Sequence, residues 1–220
     1  MMFKKSTLGS LLFIFLSFFW LTPVVLAVSD VPINTPTLEE GKEYTTLPRP
    51  LSSQPPVLEF FSFYCSPCYQ FIDTYPVSDA INRTLSEGKV IKYHISLMGA
   101  LGNELTEAWA IAIVTGKTSQ LERPLFEAMR DGKLKNSDDI KSIFSQFGIE
   151  PEAYTKMQQS LPVKDTIALQ NTAMKNFEVK GTPSFYINGK YQINNAGIAA
   201  TSPQAYVDNF ANTVKMLLAR

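Results

Sequence analysis

The sequence is poor in the residues from which metal sites and disulfide scaffolds are built: it has two cysteines and one histidine in 220 residues. A structural zinc site draws four ligands of Cys or His type, so Cys65, Cys68 and His94 do not make one. A disulfide framework is excluded as well, and the chain from Val28 onward is long enough to bury a core without one. An excess of either charge sign is also missing. The whole chain is formally neutral, and removing Lys4 and Lys5 leaves 18 basic against 20 acidic side chains. Such a balance has no electrostatic footprint for nucleic acid. No internal repeat or low-complexity tract is present, which leaves one domain with an insertion or two small domains.

What is present begins with a leader. Lys4 and Lys5 precede the apolar run LLFIFLSFFW, and Val25-Leu26-Ala27 offers small residues for cleavage. That is the pattern of a secretory signal peptide over residues 1–27. The alternative is an uncleaved anchor, since the apolar stretch from Leu11 to Val28 is just long enough to span a bilayer. Pro23 and the small-residue exit favour cleavage near Ala27 and a mature chain from Val28. Export implies an oxidising compartment, in which a lone cysteine pair persists as a disulfide.

The next segment, residues 29–56, carries six prolines around GKEYTTL and reads as an extended lead-in with one short edge strand. Val57–Tyr64 is a short apolar and aromatic run, consistent with a strand buried on both faces. The spacing of Tyr69, Phe71, Ile72, Tyr75, Val77, Ile81 and Leu85 predicts a helix that Pro76 kinks. VIKYHISL reads as a second strand, and strand, helix, strand of this length implies a parallel crossover. Residues 98–170 hold only helical patterns, with Ser137 as an N-cap and Pro151 in a first turn. A helix over about Val163–Val179 leads to Gly181-Thr182-Pro183. The segment SFYINGKYQI then reads as a hairpin with Asn188-Gly189 in a type I′ turn, and a helix over Pro203–Leu218 closes the chain. The organisation is therefore a first α/β part over 28–97, a helical insertion over 98–170 and a second part over 171–220.

Cys65 and Cys68 stand at the predicted start of a helix. A purely structural crosslink between residues three apart removes little loop entropy, so it would stabilise little. Redox chemistry accounts for more. Backbone N–H groups and the helix dipole stabilise an anion there, so Cys65, the outer and exposed cysteine, should have a depressed pKa, with Cys68 shielded behind it. A substrate thiolate would attack Cys65 and expel Cys68, and a second would then release Cys65. Glu59 lies in the buried strand, six residues before Cys65. It either exchanges a proton with Cys68 or is simply an acid paired with Lys92 or solvated through a cavity. His94 reads as a core residue. Thr182-Pro183 sits where a cis proline would open the Thr182 backbone to an extended substrate, although the residues alone favour a trans bond.

The motifs VLEFFSFYCSPCYQF, GKEYTTL, KYHISLMG, LTEAWAIA and GTPSFYINGKYQI resemble the bacterial DsbA family in order, spacing and wording across nearly the whole mature chain. The resemblance implies an α/β thioredoxin fold with an inserted α-helical domain. It implies a periplasmic thiol:disulfide oxidoreductase that introduces disulfides into exported proteins with free cysteines. The chain's own Cys65–Cys68 disulfide would be the redox group, with no other cofactor and no metal. An inner-membrane DsbB- or DsbI-type protein would reoxidise it, and the chain would be a monomer.

By the same resemblance Cys65 is the attacking cysteine, Cys68 the buried one, Glu59 the buried acid, Lys92 its neighbour, and Pro183 a cis proline. Substrate would meet Thr182, Pro183, Ser66 and Pro67. The chain departs from the family at Ser66-Pro67, where Pro-His is usual, at Ile72, where a second acid is usual, and at Thr182, where valine is usual. These departures resemble the DsbL branch. The enzyme rival is a reductant or isomerase using the same cysteines, although the chain offers no dimerisation segment for an isomerase. The non-enzyme rival is a redox-inert, chaperone-like binding module.

Overall fold

The computed structural model describes residues 1–2 and 37–220; the leader from Lys4 to Ala27 lies outside the described residues. Five strands form one mixed sheet: β1 (Tyr44–Thr46), β2 (Val57–Phe61), β3 (Ile91–His94), β4 (Ser184–Ile187) and β5 (Tyr191–Ile193), in the order β1-β5-β4-β2-β3. β2 runs parallel to β3, with Glu59 opposite Lys92, and antiparallel to β4. Its interior place explains why VLEFF has no exposed residue. β1 is the edge strand expected from GKEYTTL, antiparallel to β5. At the hairpin, Asn188 and Gly189 have φ of 51° and 63°, as a type I′ turn requires, and the Lys190 amide donates to the Ile187 carbonyl at 2.9 Å.

β2 and β3 are both shorter than the sequence suggests. β2 ends at Phe61 rather than Tyr64 because the chain turns there: the Cys65 amide donates to the Ser62 carbonyl at 3.0 Å. Pro76 does more than kink the following helix. It separates α1 (Ser66–Asp73) from α2 (Val77–Thr84), and stands as the N-cap of the second. Between β3 and β4 come α3 (Gly102–Val114), α4 (Thr118–Arg130), α5 (Ser137–Gln146), α6 (Pro151–Gln158) and α7 (Leu161–Asn176). The closing α8 covers Pro203–Leu218.

The N-cap of α5 is Asn136 and not Ser137. Asn136 has the extended backbone a cap needs, and its side chain accepts from the Asp138 and Asp139 amides at 2.8 and 3.1 Å. Asp139 returns a bond to the Asn136 amide at 3.1 Å, completing a capping box. Asn136→Ala should therefore destabilise the protein by about 1 kcal/mol in urea unfolding, whereas Ser137→Ala should leave it nearly unchanged.

Three buried clusters hold these layers together. Val57, Phe71, Ile81, Phe185 and Phe210 pack α1, α2 and α8 on one face of the sheet. Leu58, Phe60, Tyr93, Met174 and Phe177 pack the end of α7 on the other. Leu105, Trp109, Leu125, Phe144 and Tyr154 form a helical core that also takes in Phe61, Phe63 and both cysteines. α7 is continuous across position 170, with Val163 in the helical core and Met174 on the sheet. Helix α1 is thus wedged between sheet and inserted helices.

Candidate active site

The chain leaves β2 buried and re-emerges at the first turn of α1. Cys65 is the N-cap of that helix, and its Sγ accepts from the Cys68 amide at 3.2 Å. Pro67 carries no N–H and sits in the first turn, where a proline disturbs nothing. The Cys68 amide is therefore the donor aimed at the Cys65 sulfur. Cys65 and Cys68 are joined as a disulfide, with their Cα atoms 5.2 Å apart.

Cys65 is less accessible than expected. It is 5 % exposed against 1 % for Cys68, so the order is as expected but neither is open to solvent. The cause lies in the loop before β4, where Thr182-Pro183 is a cis bond and the Thr182 carbonyl oxygen stands 3.3 Å from Cys65 Sγ. Ser66 and Pro67 are exposed beside the pair, and Thr182 and Pro183 are half-buried. The hydroxyl of Thr182 reaches Met98 Sδ at 3.8 Å, a contact that valine could not make.

Glu59, on the face of β2 toward α1 and α2, is 1 % exposed. Its Oε2 accepts from Ser78 Oγ at 2.8 Å and lies 3.0 Å from Lys92 Nζ. Lys92 also reaches Glu122 Oε1 at 2.7 Å. Burial opposes the Lys92 charge, but the two carboxylates outweigh it and raise its pKa above that of an ordinary lysine. Glu59 is therefore paired with Lys92, as one of the sequence readings has it.

His94 lies in the core, 1 % exposed and stacked on Phe63. Its Nε2 accepts from the Phe63 amide at 3.3 Å, so Nδ1 carries the proton and donates to Thr106 Oγ1 at 2.8 Å. Thr106 in turn donates to the Gly102 carbonyl at 2.9 Å. Burial lowers the His94 pKa to about 3, so the ring stays neutral far below its unfolded value. Between about pH 3 and pH 6.5 the unfolded chain binds a proton that the folded chain refuses, so stability rises with pH across that window. Urea unfolding should show stability falling as pH drops below about 6.5, with a His94 share of up to about 1.4 kcal/mol per pH unit. His94→Gln should flatten that slope whatever it does to absolute stability.

The structure brings together Cys65, Cys68, Ser66, Pro67, Thr182 and Pro183 at one end of the sheet. Glu59 and Lys92 meet side by side on neighbouring strands. Sequence reasoning missed Glu122, Ser78 and Arg123. Arg123 donates to Asp73 Oδ1 and to the Ile72 carbonyl, both at 2.8 Å, and so ties α4 to the end of α1. Only the buried Leu121 and Leu125 beside them hinted that this part of α4 faces inward.

The family described as "DSBA-like thioredoxin domain" matches residues 56–212. The curated protein "Thiol:disulfide interchange protein DsbA" of Salmonella typhimurium is 40 % identical over 200 residues, covering 90 % of this chain and 95 % of that protein. Among solved structures, the DsbA disulfide interchange protein of Klebsiella pneumoniae superposes with a TM-score of 0.80. It is 42 % identical, covering 84 % of this chain and 99 % of that one. DsbL of Salmonella enterica serovar Typhimurium shares the fold, with a TM-score of 0.67 at 22 % identity, covering 84 % of this chain and 98 % of that one.

Proposed function

Because this chain belongs to the DsbA family, we propose that it is a thiol:disulfide oxidoreductase that introduces disulfide bonds into exported proteins. One observation carries the reading: the Cys65–Cys68 disulfide sits at the N-terminus of α1, with the Cys68 amide aimed at the Cys65 sulfur. A helix start stabilises a thiolate, and a stable leaving thiolate makes the disulfide an oxidant.

The reaction runs in two exchanges. A substrate thiolate attacks Cys65 Sγ, the Cys65–Cys68 bond breaks, and the electron pair goes to Cys68, which takes up a proton. Glu59, buried on the same side of the sheet, is the group to which we assign that proton transfer, with Lys92 holding the carboxylate in place. A second substrate thiolate then attacks the substrate sulfur of the mixed disulfide. Cys65 departs as the thiolate, held by the Cys68 amide and the dipole of α1. Two substrate thiols become one disulfide, and the protein carries away two electrons.

Thr182 and Pro183 present the backbone beside Cys65 along which an extended substrate would lie, and the exposed Ser66 and Pro67 form the adjoining surface. In this reading the chain is exported to the periplasm as a monomer after cleavage near Ala27. Its redox group is its own disulfide, and an inner-membrane DsbB- or DsbI-type protein restores it. The division is read as a thioredoxin domain over 28–97 and 171–220 with helices inserted over 98–170; two buried clusters line the faces of the sheet, while the third joins the inserted helices to Phe61, Phe63 and the cysteines and α7 runs through the second boundary.

The test is oxidation of a reduced, unfolded protein that contains paired cysteines, followed as loss of free thiols. The oxidised protein should consume two substrate thiols per disulfide it carries, and Cys65→Ser should consume none. Unchanged thiols with the unmodified protein would refute the reading.

A further inference from the structure

Glu122 has no part in the mechanism above. It stands in the second turn of α4, and its carboxylate shares the Lys92 ammonium with Glu59, at 2.7 and 3.0 Å. The side chains of Glu59, Lys92 and Glu122 are 1, 12 and 18 % exposed. One cation within ion-pair distance of two carboxylates leaves the triad with a net negative charge in a partly desolvated cleft. Ser78, Lys92 and Glu122 line a cleft of about 740 Å³ that α3 and α4 help to wall. The residue after Glu122 is Arg123, which holds the end of α1, so the turn carrying Glu122 is fastened to the helix carrying both cysteines.

We propose that Glu122 is a positioning residue of the redox centre: it draws on the Lys92 ammonium that would otherwise serve Glu59 alone, and thereby sets how well the Cys65 thiolate is tolerated. This rests on the oxidoreductase reading, because reduction is the step that places a negative charge at Cys65. An ionised Glu122 leaves the cluster negative and opposes that thiolate; a protonated Glu122 leaves it neutral. The groups that face Glu122 are Lys92 on β3, Glu59 on β2, and Asp79 and Ser78 on α2, with Lys89 and Thr166 on the cleft wall. Burial, then the charges of Glu59 and Asp79, raise its pKa against the pull of Lys92. Glu122 therefore gives up its charge above the ordinary carboxylate range as pH falls.

The experiment compares thiol–disulfide exchange equilibria with glutathione across pH. At about pH 7, Glu122→Gln should shift the equilibrium toward the reduced protein by roughly threefold to tenfold, the coupling expected of charges separated by protein. The shift should shrink as acid neutralises Glu122 in the unmodified protein, and Glu122→Asp should follow the unmodified profile. A second measurement needs no variant. Coupling is reciprocal, so carbon-13 NMR should find the Glu122 carboxyl titrating at higher pH in the reduced than in the oxidised protein. Equal titration in the two redox states, or a Gln shift that is the same at every pH, would overturn the proposal while leaving the oxidoreductase reading intact. Failure of the unmodified cysteines to exchange with glutathione at all would overturn the oxidoreductase reading itself.

Discussion

Cys68→Ala should turn the protein into a covalent trap. The reduced variant keeps the Cys65 sulfur at the N-cap of α1 but loses the thiol that would resolve a mixed disulfide. Offered proteins that contain disulfides, its Cys65 thiolate attacks a sulfur and stays bonded to it. Mass spectrometry of the variant recovered from an oxidising compartment should find Cys65 joined to cysteines of other exported proteins as the major species. The unmodified protein should show few such adducts, and a variant lacking both cysteines none. The adducts would name the substrates directly. Absence of adducts from Cys68→Ala would favour the redox-inert binding module instead.

Lys92→Met should cost the most stability of the substitutions considered. It removes the cation between Glu59 and Glu122 and leaves a buried and a half-buried carboxylate without it. Breaking a buried pair by deleting one partner costs about 3–5 kcal/mol, because the remaining charge keeps its desolvation penalty. A loss of about 3 kcal/mol or more in urea unfolding at neutral pH is expected. The deficit should shrink as pH falls, because protonation neutralises the stranded acids, which is the reverse of the usual acid destabilisation. Lys92→Met combined with Glu122→Gln should recover part of the loss. A variant as stable as the unmodified protein at neutral pH would show that the cluster carries no strong charge coupling.

Much of this was legible in the sequence wherever the deciding contacts are local. The apolar run before Cys65, the helix start at Cys65–Cys68 and the Asn188-Gly189 turn follow from residues within a few positions of one another. What the residues could not tell depends on contacts across the chain. Cys65 reads as exposed until the Thr182 carbonyl, 117 residues away in sequence, is laid beside its sulfur. Glu122 reads as one more polar residue on an amphipathic helix, because its partner Lys92 is 30 positions earlier and on another element. Asn136 and Ser137 are both good cap formers, and only the extended backbone at Asn136 chooses between them. The cis Thr182-Pro183 bond was visible only through the resemblance, since X–Pro bonds are mostly trans.

Ser66-Pro67, the dipeptide at which the family resemblance implies a departure, supplies no imidazole to the Cys65 thiolate. One charge-assisted hydrogen bond is worth about 1.5–3 kcal/mol, or about 30–60 mV for a two-electron couple. Reference potentials run from about −270 mV for thioredoxin to about −120 mV for DsbA, so one missing donor cannot carry a protein across the range. The most direct measurement is the reduction potential of the Cys65–Cys68 pair, equilibrated against glutathione. A value above about −200 mV is expected for a dithiol oxidant whose leaving thiolate is held by the Cys68 amide and the start of α1. A value near −270 mV would contradict it and make the protein a reductant.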